Sequence, residues 1–482
     1  MASTTRRTKI LATLGPASDS EATIRGMIAA GMDAVRLNLS HGTIDEALAT
    51  HRRVRKIAKE MGAPIGTLVD LPGPKIRAGS FGRDGVLLEG GARVRLAPGN
   101  EASNTEIIHV DYADLLTDLE VGDRISLGDG GIDLEVVDAH PDHLVAQIGH
   151  GGRMSGRPGV HVPSERLRIG TPTRQDLQIL DAFIEADVDM VALSFVRSAH
   201  DVRRLGTEPH PRGPLVVAKI ETRSAVDNLS GILDAAGAIM IARGDLGIEC
   251  PIDELPLLQK HIIRECIAHG RPAITATQML ESMVSSPTPT RAEVSDVANA
   301  VFDGSSVVML SGETAVGNDP VNVIATMARV CERADVNFDG DTWARAVTRL
   351  HVADPEAVDG RNRRITDSLT NAAWRVAREI NANAIICLTR TGFTVRAIAR
   401  YRPDTPIFGF SPDERVRRQL SVSWGAHPME LSAFSGNGDK VREALDCARG
   451  DGHIRTGDIV VVLAGVDGRS RTTEVLRVIQ VT

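Results

Sequence analysis

The 482-residue chain has room for about three domains around a large core. Hydrophobic content of 42% and charged content of 24% are those of an ordinary globular protein, and a net charge of −8 without basic runs excludes nucleic acid as the main partner. Neither a signal-peptide pattern nor an apolar run long enough to cross a membrane is seen, so a membrane partner is not expected and the cytoplasm is the expected compartment.

Cys250, Cys266, Cys331, Cys387 and Cys447 are scattered without Cys-x-x-Cys spacing, which signals neither a disulfide framework nor a zinc site. Positive charge is carried almost wholly by arginine. Each of the few lysines therefore stands out where it falls inside a motif.

In chain order, 9–14 reads as a strand, 15–20 as a turn and cap, and 21–30 as a helix. A second strand, 33–41, turns polar at its end and is followed by a helix through His51 to Met61; a third, 66–70, ends in Asp70. This βαβα rhythm predicts parallel strands. From about Gly73 to Ile169 it gives way to short alternating segments with many glycines (85–88, 93–96, 124–127, 134–137, 144–147), the pattern of an inserted small β-barrel.

The first rhythm resumes at Thr173, and strands at 190–195, 215–220, 238–241, 273–277 and 307–311 bring the count to eight. Eight strand–helix units describe a TIM (β/α)8 barrel, with the spliced β-domain over its C-terminal face as a lid. A helix over 321–334 leads into an Asp-rich stretch with Pro355 that reads as a linker. From Ile365 the alternation (strands 384–388, 406–410, 459–463; helix 394–400) predicts a C-terminal α/β sandwich for regulation or assembly. The expected domains are thus 1–72 with 169–335, 73–168, and 336–482.

Two of the apolar strands stop abruptly in charge, at Lys219-Ile220-Glu221 and at Ala242-Arg243-Gly244-Asp245-Leu246-Gly247. Neighbouring parallel strands would project Glu221 and Asp245 from one sheet edge with Lys219 beside them. Two carboxylates without His or Cys suit Mg2+ or Mn2+, and an ammonium there could neutralise a phosphoryl group in transit. A Lys-x-Glu alone is equally a structural ion pair; the glycines flanking Asp245, which let backbone N–H groups approach an anion, favour the site.

The runs 38–42, 190–197, 218–221, 240–249, 276–283 and 309–315 closely resemble those of pyruvate kinases. The resemblance covers the barrel almost completely and is looser in the insertion and the C-terminal domain. It implies transfer of a phosphoryl group from phosphoenolpyruvate to ADP, giving pyruvate and ATP, in a homotetramer that responds to effectors. Glu221 and Asp245 would hold the divalent ion, while Lys219 and Arg36 would grip the phosphoryl group. Ala242, Arg243, Gly244 and Asp245 would hold the substrate carboxylate, Thr277 would sit near the enol carbon in proton transfer, and Phe195 would pack nearby. Ser194, Ser311 and Glu313 belong to the same rim. Arg77, His41 and Pro16 fall on the nucleotide side.

The sequence departs from the family at Asp70-Leu71-Pro72-Gly73-Pro74-Lys75-Ile76-Arg77. Potassium-dependent members carry Thr and Glu where Leu71 and Lys75 stand, and bind K+ at positions equivalent to Asn38, Ser40, Asp70 and the carbonyl of residue 71. The resemblance is to the Leu/Lys-type subclass, whose tethered ammonium replaces the free cation, so K+ is not expected to be required. Pro158-Gly159-Val160-His161-Val162-Pro163 replaces the usual Lys-Gly-Val-Asn-Leu-Pro, and Gly128-Asp129-Gly130 the usual Asp-Asp-Gly; both touch the nucleotide side. Thr389, Arg390, Thr391, Gly392 and Thr394 resemble a loop that binds sugar-phosphate or nucleotide effectors. Alternatives within reach of these residues are a pyruvate- or oxaloacetate-handling lyase on the same metal–enolate platform, and a paralogue that senses phosphoenolpyruvate.

Overall fold

The computed structural model describes residues 6–40, 42–128, 130–350, 360–432, 439–465 and 473–482. The chain opens with β1 (Lys9–Thr13), β2 (Ala34–Asn38) and β3 (Gly66–Leu71). The insertion follows, with β4 (Val86–Leu88), β5 (Arg93–Pro98), β6 (Ile107–Val110), β7 (Arg124–Leu127), β8 (Ile132–Ala139), β9 (Leu144–Ile148), β10 (Gly152–Met154) and β11 (Val160–His161). Then come β12 (Met190–Leu193), β13 (Leu215–Ile220), β14 (Ala238–Ala242), β15 (Ala273–Ala276) and β16 (Val307–Leu310).

The eight strands β1, β2, β3, β12, β13, β14, β15 and β16 close into a parallel barrel, β1 pairing with both β2 and β16. Their near-continuous apolar runs are those of strands covered on both faces. Leu11, Leu68, Met190, Val217, Met240 and Ile274 are fully buried in one apolar cluster, and a second, larger cluster joins the barrel's outer surface to its helices. Chain reversals are capped locally: Thr43 and Glu46 form a capping box at the helix Ile44–Glu60, and Thr173 and Asp176 do so at Arg174–Glu185. The second strand is shorter than the sequence suggests. Asp33 is drawn out of it to receive Arg6 and the N–H of Ile10, and Asn38 folds back to accept the N–H of Ser40 at 3.2 Å.

The insertion is β-rich as expected, a six-stranded sheet ordered β11-β7-β8-β9-β5-β6 with a β4–β10 ribbon, and it has its own apolar cluster around Leu96, Val110, Leu127 and Val136. The chain enters it through Gly73, whose φ of 67° and close approach to Phe195 leave no place for a Cβ, which would lie 2.9 Å from the ring. The C-terminal part is an α/β unit with β17 (Ala384–Leu388), β18 (Ile407–Ser411), β19 (Ala426–Glu430), β20 (Ile459–Ala464) and β21 (Val475–Gln480), ordered β19-β18-β17-β20-β21.

Part of the expected linker is helical. Gly340–Arg349 forms a helix whose Trp343 indole donates to the Arg400 carbonyl at 2.8 Å; Pro355 lies outside the described residues. Few apolar residues carry this helix, and Ala344 and Val347 bury its inner face. The α/β unit is joined to the barrel's base by Asp189, which receives Arg418 of that unit at 2.7 Å and Arg55 of the barrel at 2.8 Å, and by Asp335, which receives the Trp424 indole N–H at 3.4 Å. Arg402 is buried against Phe338, Trp343 and Trp424 and donates to the Val301 carbonyl. Among the described residues no helix is long and apolar enough to cross a membrane.

Candidate active site

Strand ends at the barrel's C-terminal face bring Arg36, Asp70, Leu71, Ser194, Phe195, Lys219 and Glu221 together. Asp70, the penultimate residue of β3, is 2% exposed and lies between two cations. Arg36 on β2 places two guanidinium nitrogens 2.7 Å from its Oδ2, and Lys219 Nζ on β13 stands 3.6 Å from its Oδ1. Burial pushes the Asp70 carboxyl up, but Lys219, Arg36 and Lys75 together outweigh it and hold the group below the usual range.

Lys219 Nζ also meets Glu221 Oε1 at 2.6 Å and donates to Ser194 Oγ at 2.7 Å; that hydroxyl in turn donates to the Leu71 carbonyl at 2.8 Å. Burial alone would favour the neutral amine. Asp70, Glu221 and Asp245 reverse that and raise its proton affinity, so Lys219 is a fixed, buried cation.

Glu221 is 1% exposed, and its Oε2 accepts the N–H of Phe195 at 2.7 Å, a residue held at φ 55°. Burial first, then the Asp245 charge, keep the Glu221 carboxyl above its ordinary value against the pull of Lys219. Arg36 pairs with Asp70, which leaves Glu221 and Asp245 to the one ammonium of Lys219. Asp70 Oδ1 is moreover buried without a hydrogen-bond donor. Hard oxygen donors, an unmet demand for positive charge and the absence of nitrogen or sulfur ligands fit a divalent ion such as Mg2+ or Mn2+. No cluster of three metal-ligating side chains exists among the described residues, so water and substrate oxygens would complete its shell.

Asp245 lies in the first turn of the helix Arg243–Glu249, which opens directly off β14. The Arg243 side chain does not face the cleft. Its guanidinium donates to the carbonyls of Ala276 at 3.2 Å and Thr277 at 2.7 Å and pairs with Asp296 at 2.8 Å. It thereby braces a strained turn, because Thr277 and Gln278 have φ values of 67° and 53°. The N–H of Gly244 donates to Thr277 Oγ1 at 2.9 Å, tying Asp245's helix to the same turn. Glu313, fully buried, accepts the N–H groups of Leu280 at 3.0 Å and Ser311 at 2.7 Å and fixes the turn from behind.

Between lid and barrel, Lys75, Arg77, Val160, His161, Phe195 and Asp245 line a cleft of about 280 Å³. Lys75 reaches solvent at its mouth, yet its ammonium is held below the usual value, first by the low-dielectric cleft and then by Lys219 and Arg77. Arg77 donates to the Arg157 carbonyl at 3.2 Å, while the Arg157 guanidinium is engaged within the lid by Asn100 and Asp111. Pro16 is exposed on the loop after β1, and His41 lies outside the described residues.

In the C-terminal unit the hydroxyl of Thr389 accepts the N–H of Gly392 at 2.9 Å, and that of Thr394 meets Thr473 at 2.8 Å. Only Arg390 of this loop is exposed.

Sequence reasoning did not foresee three contributors: Thr13, which receives Arg36 at 3.1 Å; the brace made by Arg243; and Glu249, which joins lid to barrel. Glu249 ends the run that carries Asp245, one helical turn on, and that i, i+4 spacing was the available signal.

A closed parallel barrel with a β-rich lid, and with carboxylates and a buried ammonium at its C-terminal rim, defines a barrel enzyme of the metal-assisted group-transfer class. The sequence model of the pyruvate kinase barrel domain matches residues 5–324, and that of the pyruvate kinase alpha/beta domain residues 367–479. Similar proteins include the pyruvate kinase of Clostridium acetobutylicum, 35% identical over 98% of this chain and 99% of its own length. That of Methylorubrum extorquens is 37% identical over 99% and 98%. A crystal structure of a pyruvate kinase from Cryptosporidium parvum superposes with a TM-score of 0.89 at 31% identity, covering 99% of this chain and 97% of that one. The chain belongs to the pyruvate kinase family and is a phosphotransferase. Family membership brings with it a requirement for a divalent metal.

Proposed function

We propose that this enzyme transfers the phosphoryl group of phosphoenolpyruvate to ADP, giving pyruvate and ATP as in glycolysis, with Mg2+ or Mn2+ and without a need for K+. The observation that carries the reading is the Lys219 ammonium, buried between Ser194, Glu221 and Asp70 at the mouth of the barrel.

Lys219 stays protonated and presents a fixed charge to the phosphoryl oxygens, pre-organised in a site that excludes water. Arg36, held by Asp70 and Thr13, grips the same group from the other side. Glu221 and Asp245 would hold the divalent ion, which would supply positive charge against the negative charge that develops during transfer. Backbone N–H groups from Ala242 to Asp245 orient the substrate carboxylate, and Phe195 packs beside it. Thr277, braced by Arg243, lies where a proton reaches the enol carbon.

Lys75 stands in for the monovalent cation. Support comes from its charge acting on Asp70, while Asn38 Oδ1 and the Leu71 carbonyl already accept hydrogen bonds from Ser40 and Ser194. Arg77 faces the nucleotide phosphates, with His41 and Pro16 on the same side.

In this reading, residues 1–72 and 169–335 form the catalytic domain, 73–168 the lid and 336–482 a regulatory and assembly domain of a cytoplasmic homotetramer. An apolar groove lined by Val294, Ala298 and the exposed Phe302 supports assembly. The loop 389–394 is the candidate for a sugar-phosphate or nucleotide effector, with the exposed Arg390 as its contact.

The metal assignment is tested by titrating Mn2+ into the wild type and the E221Q and D245N variants. We expect each substitution to weaken Mn2+ binding at least about tenfold, since losing even a group that supports a metal ligand costs ~10–100-fold in affinity. Unchanged affinity in both variants would place the ion elsewhere.

A further inference from the structure

We infer that Glu249 is a positioning residue for the phosphoryl acceptor, clamping the returning edge of the lid to the helix that carries Asp245. The inference rests on the reading above and adds what determines acceptor affinity.

The Glu249 side chain is 6% exposed. Its Oε1 accepts from His161 Nε2 at 3.2 Å and from the N–H of Ser164 at 2.9 Å; its Oε2 accepts from the Ser164 hydroxyl at 2.7 Å and from the N–H of Arg223 at 3.3 Å. His161 and Ser164 belong to the insertion, whereas Arg223 follows Glu221 by two residues on the barrel. One carboxylate thus ties three elements: the lid, the segment leaving β13, and the helix Arg243–Glu249. Burial opposes its charge, but the bonds from His161 and Ser164 outweigh that and hold the carboxyl below its usual range.

The clamp has a second point. Arg197, two residues past Phe195, donates to the carbonyls of Leu167 at 2.7 Å and Ile169 at 3.2 Å, where the chain leaves the lid.

The position of the clamp decides what it controls. Val160, His161 and Val162 form one wall of the lid–barrel cleft; Phe195, Asp245 and Ile248 form the other. His161 lies 6.5 Å from Phe195 between ring centres. A diphosphate entering between Lys75 and Arg77 needs that wall at a fixed distance from the barrel, whereas the phosphoenolpyruvate side draws its residues from the barrel's strand ends and the turns that follow them. Releasing Glu249 therefore loosens the acceptor site and leaves the donor site in place.

The test compares wild type, E249Q, H161A and H161N by KM for ADP, KM for phosphoenolpyruvate and kcat. The expected result is a rise of about tenfold or more in KM for ADP in E249Q and H161A, the loss of one charge-assisted hydrogen bond. KM for phosphoenolpyruvate should stay within about twofold, and H161N, whose amide can still donate to Glu249, should restore most of the ADP affinity. Non-additivity in the E249Q/H161A double variant would mark the two as a unit. An unmoved KM for ADP overturns the inference, as does a parallel rise in both KM values, the signature of general loosening. If E249Q does not fold, the H161A and H161N pair decides the matter. Absence of transfer by the wild type overturns the functional reading and this inference with it; wild-type transfer with variants unmoved overturns this inference alone.

Discussion

Replacing Lys219 by methionine keeps the unbranched apolar stem of the side chain, omits its terminal nitrogen and so removes one positive charge. In the wild type that charge lies 2.6 Å from Glu221 and 3.6 Å from Asp70, carboxylates 1% and 2% exposed. Arg36 continues to neutralise Asp70, but Glu221 keeps only the Phe195 N–H and faces the repulsion of Asp245. Removing one partner of a buried ion pair costs ~3–5 kcal/mol, so K219M should lose about that much in urea denaturation without metal. Mn2+ should restore part of the loss, because a divalent ion on Glu221 and Asp245 supplies the missing charge. Turnover should fall by ~10³–10⁵, the scale set by a cationic group acting on a phosphoryl group in transfer. The assay is pyruvate formation at saturating phosphoenolpyruvate, ADP and Mn2+, run beside the denaturation curves. A kcat within tenfold of wild type would refute the role given to Lys219, whatever the stability result.

K75E should convert the enzyme to one activated severalfold by KCl, since an acid in place of the tethered ammonium leaves Asp70 a site for a free cation; equal rates with and without KCl would remove Lys75 from that role. R243A should lower kcat by roughly ten- to a hundredfold through relaxation of the strained Thr277–Gln278 turn, worth about 1–3 kcal/mol, and R243K should rescue little of it because a point charge cannot bond to several carbonyls at once. His427 is held neutral, its pKa lowered from 6.5 to about 4 by burial, Lys9 and His453. Below pH 6.5 the unfolded chain binds a proton that the folded chain does not, so stability should be full above that pH and fall by about 2–3 kcal/mol as pH drops towards 4. H427F should flatten that part of the pH–stability profile, and an unchanged slope would show that His427 does not control it.

The catalytic rim was legible because its residues interrupt apolar strands: Asp70, Lys219, Glu221 and Asp245 are charges where the pattern calls for none, and the barrel topology carries them to one edge. The clamp at Glu249 was not read, since its partners lie 85 and 88 positions away and its one local mark, the i, i+4 spacing from Asp245, does not say what the side chain meets. The brace at Arg243 was hidden for a different reason. A motif says which residues gather at a strand end, but the direction of a long side chain is settled by the turn it meets, here Ala276–Gln278.

At the fold level, β19 and β21 escaped the pattern. Ala426–Glu430 contains a proline and a histidine, and Val475–Gln480 is half-exposed at the sheet edge, so neither has the buried apolar run of β17 or β20.

The most direct test of the account is to follow phosphorus by 31P NMR while the purified chain acts on phosphoenolpyruvate and ADP with Mg2+ in K+-free buffer. The account predicts that phosphoenolpyruvate disappears and the γ-phosphate of ATP appears in equal amounts, with pyruvate matching both and KCl adding little to the rate. Release of inorganic phosphate in place of ATP, or bound phosphoenolpyruvate that is never converted, would contradict it.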